Sequence, residues 1–215
     1  MNSIVRIAIA GLLSALVGCS TVKYNALEKV GIHKRDLLVG NVEDTRDAQK
    51  EAQEQFQDAL ERFGSVVNIE ETGLKKAYKR LKSEYDDSVD AAEEVSEQIA
   101  EVEEVADDLF KEWSEENKQY TDANLRRDSE QQLKATRTRY GDMLSSMKQA
   151  EQSMQPVLNT LRDNVLYLKH NLNAQAVGSL RTTFDDLEVD IERLIKQMNQ
   201  SIERSNAFIA NMKPA

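Results

Sequence analysis

From Leu74 the apolar residues recur at alternating intervals of four and three, at positions 74, 78, 81, 85, 88, 92, 95, 99, 102, 106, 109, 113, 116 and 120. Only Ser88 and Glu116 break the apolar pattern. That spacing keeps one stripe of a helix facing a neighbour, so it predicts a long helix over 73–120 with a coiled-coil seam. A second seam through Leu133, Thr136, Tyr140, Met143, Met147, Ala150, Met154, Val157, Leu161 and Leu168 predicts another over 122–172. Between them Thr121 or Asp122 can cap the new helix by accepting from its first unpaired N–H groups. Val42, Thr45, Gln49, Ala52, Phe56, Ala59, Phe63 and Val66 form a weaker seam and predict a first helix over 41–66. Leu180, Phe184, Leu187, Ile191, Leu194, Met198, Ile202, Ile209 and Met212 predict a fourth over 176–212.

Folding the chain back at Thr121 sets the two long seams against each other layer by layer, with Leu109 opposite Leu133, Val102 opposite Tyr140 and Leu81 opposite Leu161. The same register brings Glu115 beside Arg127, Glu116 beside Arg126, Asp108 beside Lys134 and Glu103 beside Arg139. The acidic run from Glu93 to Asp108 is then a set of solvated flanking charges rather than a metal site. Gly64 and Gly73 bracket a turn that sets Phe63 against Leu74, and a turn near Ala174 sets Leu180 against Leu168 and Phe208 against Tyr140. In this reading the first helix starts level with Val95, and Pro156 kinks the third by removing a backbone donor. The expected fold is all-α: an elongated antiparallel bundle or coiled coil of three to four long helices. The hairpin from about Leu109 to Leu133 projects alone from it.

Composition supports long helices, with only Pro156 and Pro214, 8 glycines and 31% charged residues. The start of the chain follows a different pattern. Arg6 precedes an apolar run from Ile7, which closes on Leu16-Val17-Gly18-Cys19. This is the layout of a bacterial lipoprotein signal peptide over 1–18, cut before a lipidated Cys19. The apolar run is about half of the ~20 residues that a membrane-spanning helix needs. Ser20 follows the cysteine where aspartate would mark inner-membrane retention, so the expected location is the outer membrane, facing the periplasm. Residues 19–40 read as a juxtamembrane linker and 41–213 as the bundle. Charge is divided accordingly: residues 20–35 carry a net +3, and residues 36–215 carry 23 basic and 37 acidic side chains, a net of −14. A basic segment near the lipid is drawn to anionic headgroups. The acidic body argues against a nucleic-acid partner.

Candidate chemistry is sparse. His33 and His170 are the only histidines, and neither has a second metal ligand at helical spacing. No phosphate-binding glycine loop or nucleophile elbow occurs. No catalytic residue, metal, cofactor or small-molecule substrate is therefore assigned, and the chain reads as a non-enzyme. The expected contact residues lie on the projecting hairpin: Phe110, Trp113, Tyr120, Leu125, Arg126 and Arg127. Aromatics and arginine left uncovered are the makings of a binding hot spot.

Glu28 to Asp36, Phe56 to Phe63, Leu109-Phe110-Lys111-Glu112-Trp113, Leu125-Arg126-Arg127 and Leu168 to Ala174 together resemble domain-of-unknown-function family 2959 of uncharacterised bacterial lipoproteins. The likeness covers nearly the whole mature chain, and the family implies no activity, ligand or catalytic residue. The short murein-linked lipoprotein of the outer membrane ends in a lysine, whereas here Lys213 is followed by Pro214 and Ala215. The functional expectation is a lipid-anchored periplasmic structural or adaptor protein with an unidentified envelope protein as partner. The alternative is a regulator of an envelope enzyme, for example in cell-wall metabolism, acting through helix-helix contacts.

Overall fold

The computed structural model describes residues 33–67, 73–172 and 174–212. They form α1 (Lys34–Val66), α2 (Leu74–Asn117), α3 (Ala123–His170) and α4 (Ala174–Met212), with no strand among the described residues. Packing runs α1 on α2, α2 on α3, α3 on α4 and α4 back on α1. This is the up-down-up-down arrangement, in which every neighbour is antiparallel. The expected all-α bundle is thus the observed fold.

A single apolar core runs the length of the bundle, with Leu38, Phe56, Phe63, Leu81, Met147, Met154, Leu161, Leu168, Leu180 and Leu194 fully shielded from solvent. Several core positions are small and polar, yet most cost little. Thr45, Ser88 and Ser205 each donate to the carbonyl four residues earlier, at 2.8, 2.6 and 2.9 Å. A hydroxyl satisfied by its own helix can be buried without a cross-helix partner. Gln49 and Ser201 are fully buried without that provision: both amide atoms of Gln49 and the hydroxyl of Ser201 have no hydrogen-bond partner.

The first helix is longer than its seam predicts. It starts at Lys34 rather than at 41, so residues 34–40 belong to the bundle and not to a linker. Leu38 and Val42 are both fully buried. Lys34 Nζ lies 3.0 Å from Glu112 Oε2, far beyond the expected starting level of Val95. The Arg35 guanidinium donates to the Met212 carbonyl, which brings the end of α4 to the same place. All four helices therefore run together up to Glu112, and the stretch between the Val95 level and the hairpin, where the late start of the first helix would leave three helices, is a four-helix bundle. The bare hairpin shrinks to the part beyond Trp113.

Helices α3 and α4 meet as their seams predict: Tyr140 and Phe208 have ring centroids 6.3 Å apart, and Thr183 donates to Asn164 Oδ1 at 3.0 Å. Between α2 and α3 the expected level holds at Trp113 and Ser129 but shifts further down. Phe110 rather than Val102 meets Tyr140, and Glu103 pairs with Lys148 at 2.6 Å rather than with Arg139. None of the four expected α2–α3 ion pairs forms. Near the tip the charges find local partners instead, Glu115 with Lys118 and Arg127 with Asp128. Exposed pairs are worth about 0–1 kcal/mol and cannot hold a register that the apolar seam does not favour.

Gly64 lies inside the last turn of α1, not in the connection, and Gly73 stands at the start of α2. A Cβ at Gly64 would come within 3.1 Å of the Phe184 ring, which stacks on Phe63 at 6.0 Å and 17°. α3 continues through Pro156, which sits on the exposed face where the carbonyl it leaves without a donor can meet water. The expected signal peptide over 1–18, the expected lipidation site Cys19 and the part of the expected linker up to Ile32 lie outside the described residues.

Candidate functional site

The α2–α3 hairpin is closed by backbone and side-chain bonds in turn. As α2 ends, Lys118 N–H donates to the Glu115 and Glu116 carbonyls, and Gln119 N–H to Glu116 at 2.9 Å. These bonds tighten the last turn and satisfy carbonyls that a helix end leaves open. Asp122 then caps α3, its Oδ1 accepting from Asn124 N–H at 2.7 Å and Leu125 N–H at 3.1 Å. Of the two expected capping residues, Asp122 fills the role.

Behind this turn a polar chain ties the two helices together. Trp113 Nε1 donates to Ser129 Oγ at 2.9 Å, and Ser129 donates to Asn117 Oδ1 at 2.6 Å. Asn117 is 3% exposed, and its Nδ2 has no partner. It was the heptad position Glu116 that the seam pointed inward. The seam turns by one residue at the helix end, so the neutral amide is buried and the carboxylate stays near solvent.

The six expected contact residues separate by burial. Phe110 does not belong to the tip surface. It is 6% exposed, its ring meets Tyr140 edge-on at 5.3 Å, and the Arg137 guanidinium lies 5.4 Å over it while Arg137 Nη2 donates to the Phe110 carbonyl at 3.0 Å. Tyr140 in turn packs near Phe208 of α4, so the α3 side chains that cover Phe110 are tied to the fourth helix. Trp113 is half-buried in the seam. Tyr120 at 43% and Leu125 at 57% are exposed, as are Arg126 and Arg127. These four share the tip of the hairpin.

Two features were not anticipated. At the base of the tip a cleft of ≈ 460 Å³ opens between Arg35, Glu112, Trp113, Arg139 and Met212. It exists because α1 reaches this level, which its seam did not indicate, and meets the end of α4 there. At the opposite end Leu166, Tyr167 and Leu172 are 49%, 38% and 43% exposed. They fall in the Leu168-to-Ala174 neighbourhood, where off-seam apolar residues beside a turn were the available signal. Among the described residues no three His, Cys, Asp or Glu side chains are placed to hold a metal ion, and no helix is long and apolar enough to cross a membrane.

No curated protein and no solved structure matches the chain. The sequence profile described as "Protein of unknown function (DUF2959)" matches residues 23–212, which takes in all four helices. By that match over most of its length, the chain belongs to the DUF2959 family.

Proposed function

We propose that this protein is a lipid-anchored structural or adaptor protein of the cell envelope, held through Cys19 at the periplasmic face of the outer membrane. The observation that carries the reading is the distribution of exposed apolar side chains. Tyr120 and Leu125 stand at one end of the bundle and Leu166, Tyr167 and Leu172 at the other, with Val189 of α4 the one large exposed hydrophobic between them among the described residues. α3 alone, at 48 residues, is about 70 Å long. A stiff rod with sticky ends suits a molecule that bridges two surfaces, and the Leu16-to-Cys19 sequence supplies an attachment to one of them.

Two measurements test it. Cys19→Ala should abolish palmitate labelling and release the protein from the membrane fraction, or leave an uncleaved precursor. Unchanged labelling and fractionation would refute the anchor. A photo-crosslinking residue at Leu172 should give a covalent adduct with one envelope protein in intact cells, and Leu166→Ser, Tyr167→Ser should abolish it. An adduct that survives the double change would remove the distal end from the account.

A further inference from the structure

α2 begins against the usual chemistry of a helix start. Gly73 stands at its N-cap without a side-chain hydrogen bond, and its first turn contains no acidic residue. Instead Lys75, Lys76, Lys79, Arg80 and Lys82 follow, with no acid between Leu74 and Ser83. Cations at this end oppose the helix dipole. Lys75 with Lys79, and Lys76 with Arg80, also set like charges four residues apart, where they repel. All five are exposed. Among the described residues Lys82 pairs with Asp86, whereas Lys75, Lys76, Lys79 and Arg80 form no ion pair.

The acids of α2 are segregated from this block. From Glu84 to Asp108 the helix has twelve acidic residues and no basic one. Of the nearest three, Glu84 is engaged by Arg62 of α1 at 3.4 Å and Asp86 by Lys82, which leaves Asp87. Counted across the last turns of all four helices, the balance at this end is positive. Residues 60–83 and 164–184 hold eight basic side chains against Glu61, Glu70 and Glu71, a net of +5, although residues 36–215 as a whole carry −14.

Helical spacing shows where these cations lie relative to α3. Tyr85 and Val89 of α2 and Leu158, Asn159 and Arg162 of α3 line a groove of ≈ 490 Å³. Lys82 precedes Val89 by seven residues and Lys75 precedes Lys82 by seven, with Lys79 between them. The three therefore continue the α2 wall of the groove toward the end of the bundle. On α3, Leu166 and Lys169 follow Arg162 by four and seven and continue the opposite wall. Leu166 is 49% exposed, and Lys169 is exposed too. The outer part of the groove thus has cations on both walls around one uncovered leucine, and its inner part is lined by Tyr85, Val89 and Leu158.

That combination selects among anionic partners. The stripe from Lys75 to Lys82 runs about 10 Å along the helix rather than across the end of the bundle, so it suits an elongated segment and not a flat lipid surface. Leu166 needs an apolar side chain beside the carboxylates, which an acidic polypeptide supplies. We propose that the groove between the start of α2 and the end of α3 takes an acidic segment of a partner protein, with carboxylates on Lys75, Lys79 and Lys169 and an apolar side chain against Leu166. This rests on the bridging role given above to this end of the bundle and names the chemistry of its partner. The charges that disfavour the start of α2 are then the ones that bind.

The helix dipole supplies the control for the test. Lys75→Glu, Lys79→Glu places acids where the dipole favours them, so the double variant should melt no lower than the parent while losing the partner. Lys75→Arg, Lys79→Arg should keep it. The readout is the photo-adduct formed from Leu172 in intact cells, with the adducted protein identified by mass spectrometry. A water-soluble carbodiimide condenses an amine with a touching carboxylate, with loss of water. Applied to the same membranes, it should link Lys75 or Lys79 to a peptide rich in Asp and Glu from that same protein. An adduct of undiminished yield in the glutamate variant would overturn the acidic partner and leave the bridging role standing. So would carbodiimide links that run only to Glu70, Glu71 or Asp86 of the chain itself, to the α2 carboxylates of a second copy, or to stem peptides of the cell wall. Absence of any adduct in the parent would bring down the bridging role and the acidic partner together.

Discussion

Lys34 and Glu112 form a 3.0 Å ion pair that joins the first turn of α1 to the last stretch of α2. Its importance lies in placement rather than energy, because it fixes the level at which four helices become two. Phe110 lies below that level and Tyr120 beyond it, so two aromatics ten residues apart on the hairpin have opposite roles.

Phe110→Ala should therefore be a core mutation. The ring is 6% exposed and packed against Tyr140. Truncation should cost about 3–5 kcal/mol, which lowers Tm by on the order of 10 °C in a chain of this size. Arg127→Ala, on the exposed tip, should change Tm hardly at all. Thermal melts followed by circular dichroism separate the two, and a neutral Phe110→Ala would mean that the ring is not enclosed by Tyr140 and Arg137.

Ser129→Ala should loosen the tip alone. The hydroxyl accepts from Trp113 and donates to Asn117, so its loss leaves a buried amide with neither atom paired. The expected cost is about 1–3 kcal/mol. Trp113 is the sole tryptophan, so its fluorescence reports on the site directly. Acrylamide quenching should rise while far-ultraviolet dichroism stays constant.

Gln49→Leu should stabilise the protein. Gln49 is fully buried with both amide atoms unpaired. The Arg46–Asn206 and Gln53–Asn199 hydrogen bonds bracket its level and set it near Ser201, another buried group without a partner. Replacing such an amide by an apolar group of similar size removes a desolvation penalty of about 1–3 kcal/mol. Urea titration should show a higher midpoint with an unchanged slope. A lower midpoint would mean that something polar occupies the middle of the bundle.

Burial, with the Glu103 and Asp107 carboxylates adding to it, pushes the Tyr140 phenol well above its usual value of 10.0. The unfolded chain releases this proton near pH 10 and the folded chain retains it, so the group costs stability as pH rises above 10 and nothing below. Tyr140→Phe should melt close to the parent at pH 7 and above it at pH values past 10. Parallel melting curves across that range would contradict the shift.

The helices were legible because their seams are long and strictly spaced, and the Asp122 cap because its chemistry is local. The start of α1 was legible in principle. Leu38 precedes Val42 by four residues and continues the spacing, but Gly40 and the basic pair Lys34 and Arg35 give that stretch the look of a linker. The burial of Phe110 was not legible. It depends on Phe110 rather than Val102 meeting Tyr140, a shift between α2 and α3 that folding the chain back at Thr121 does not contain. Tyr120, Leu125, Arg126 and Arg127 were correctly placed at the exposed tip, since a turn between two long seams is outward by construction.

The central claim is attachment through Cys19, and intact-mass measurement of the protein extracted from bacterial membranes tests it most directly. The account predicts one species that starts at Cys19 and carries the added mass of a diacylglyceryl group and an amide-linked acyl chain. A species that starts at Met1, or one that starts at Cys19 with no added lipid mass, would contradict it.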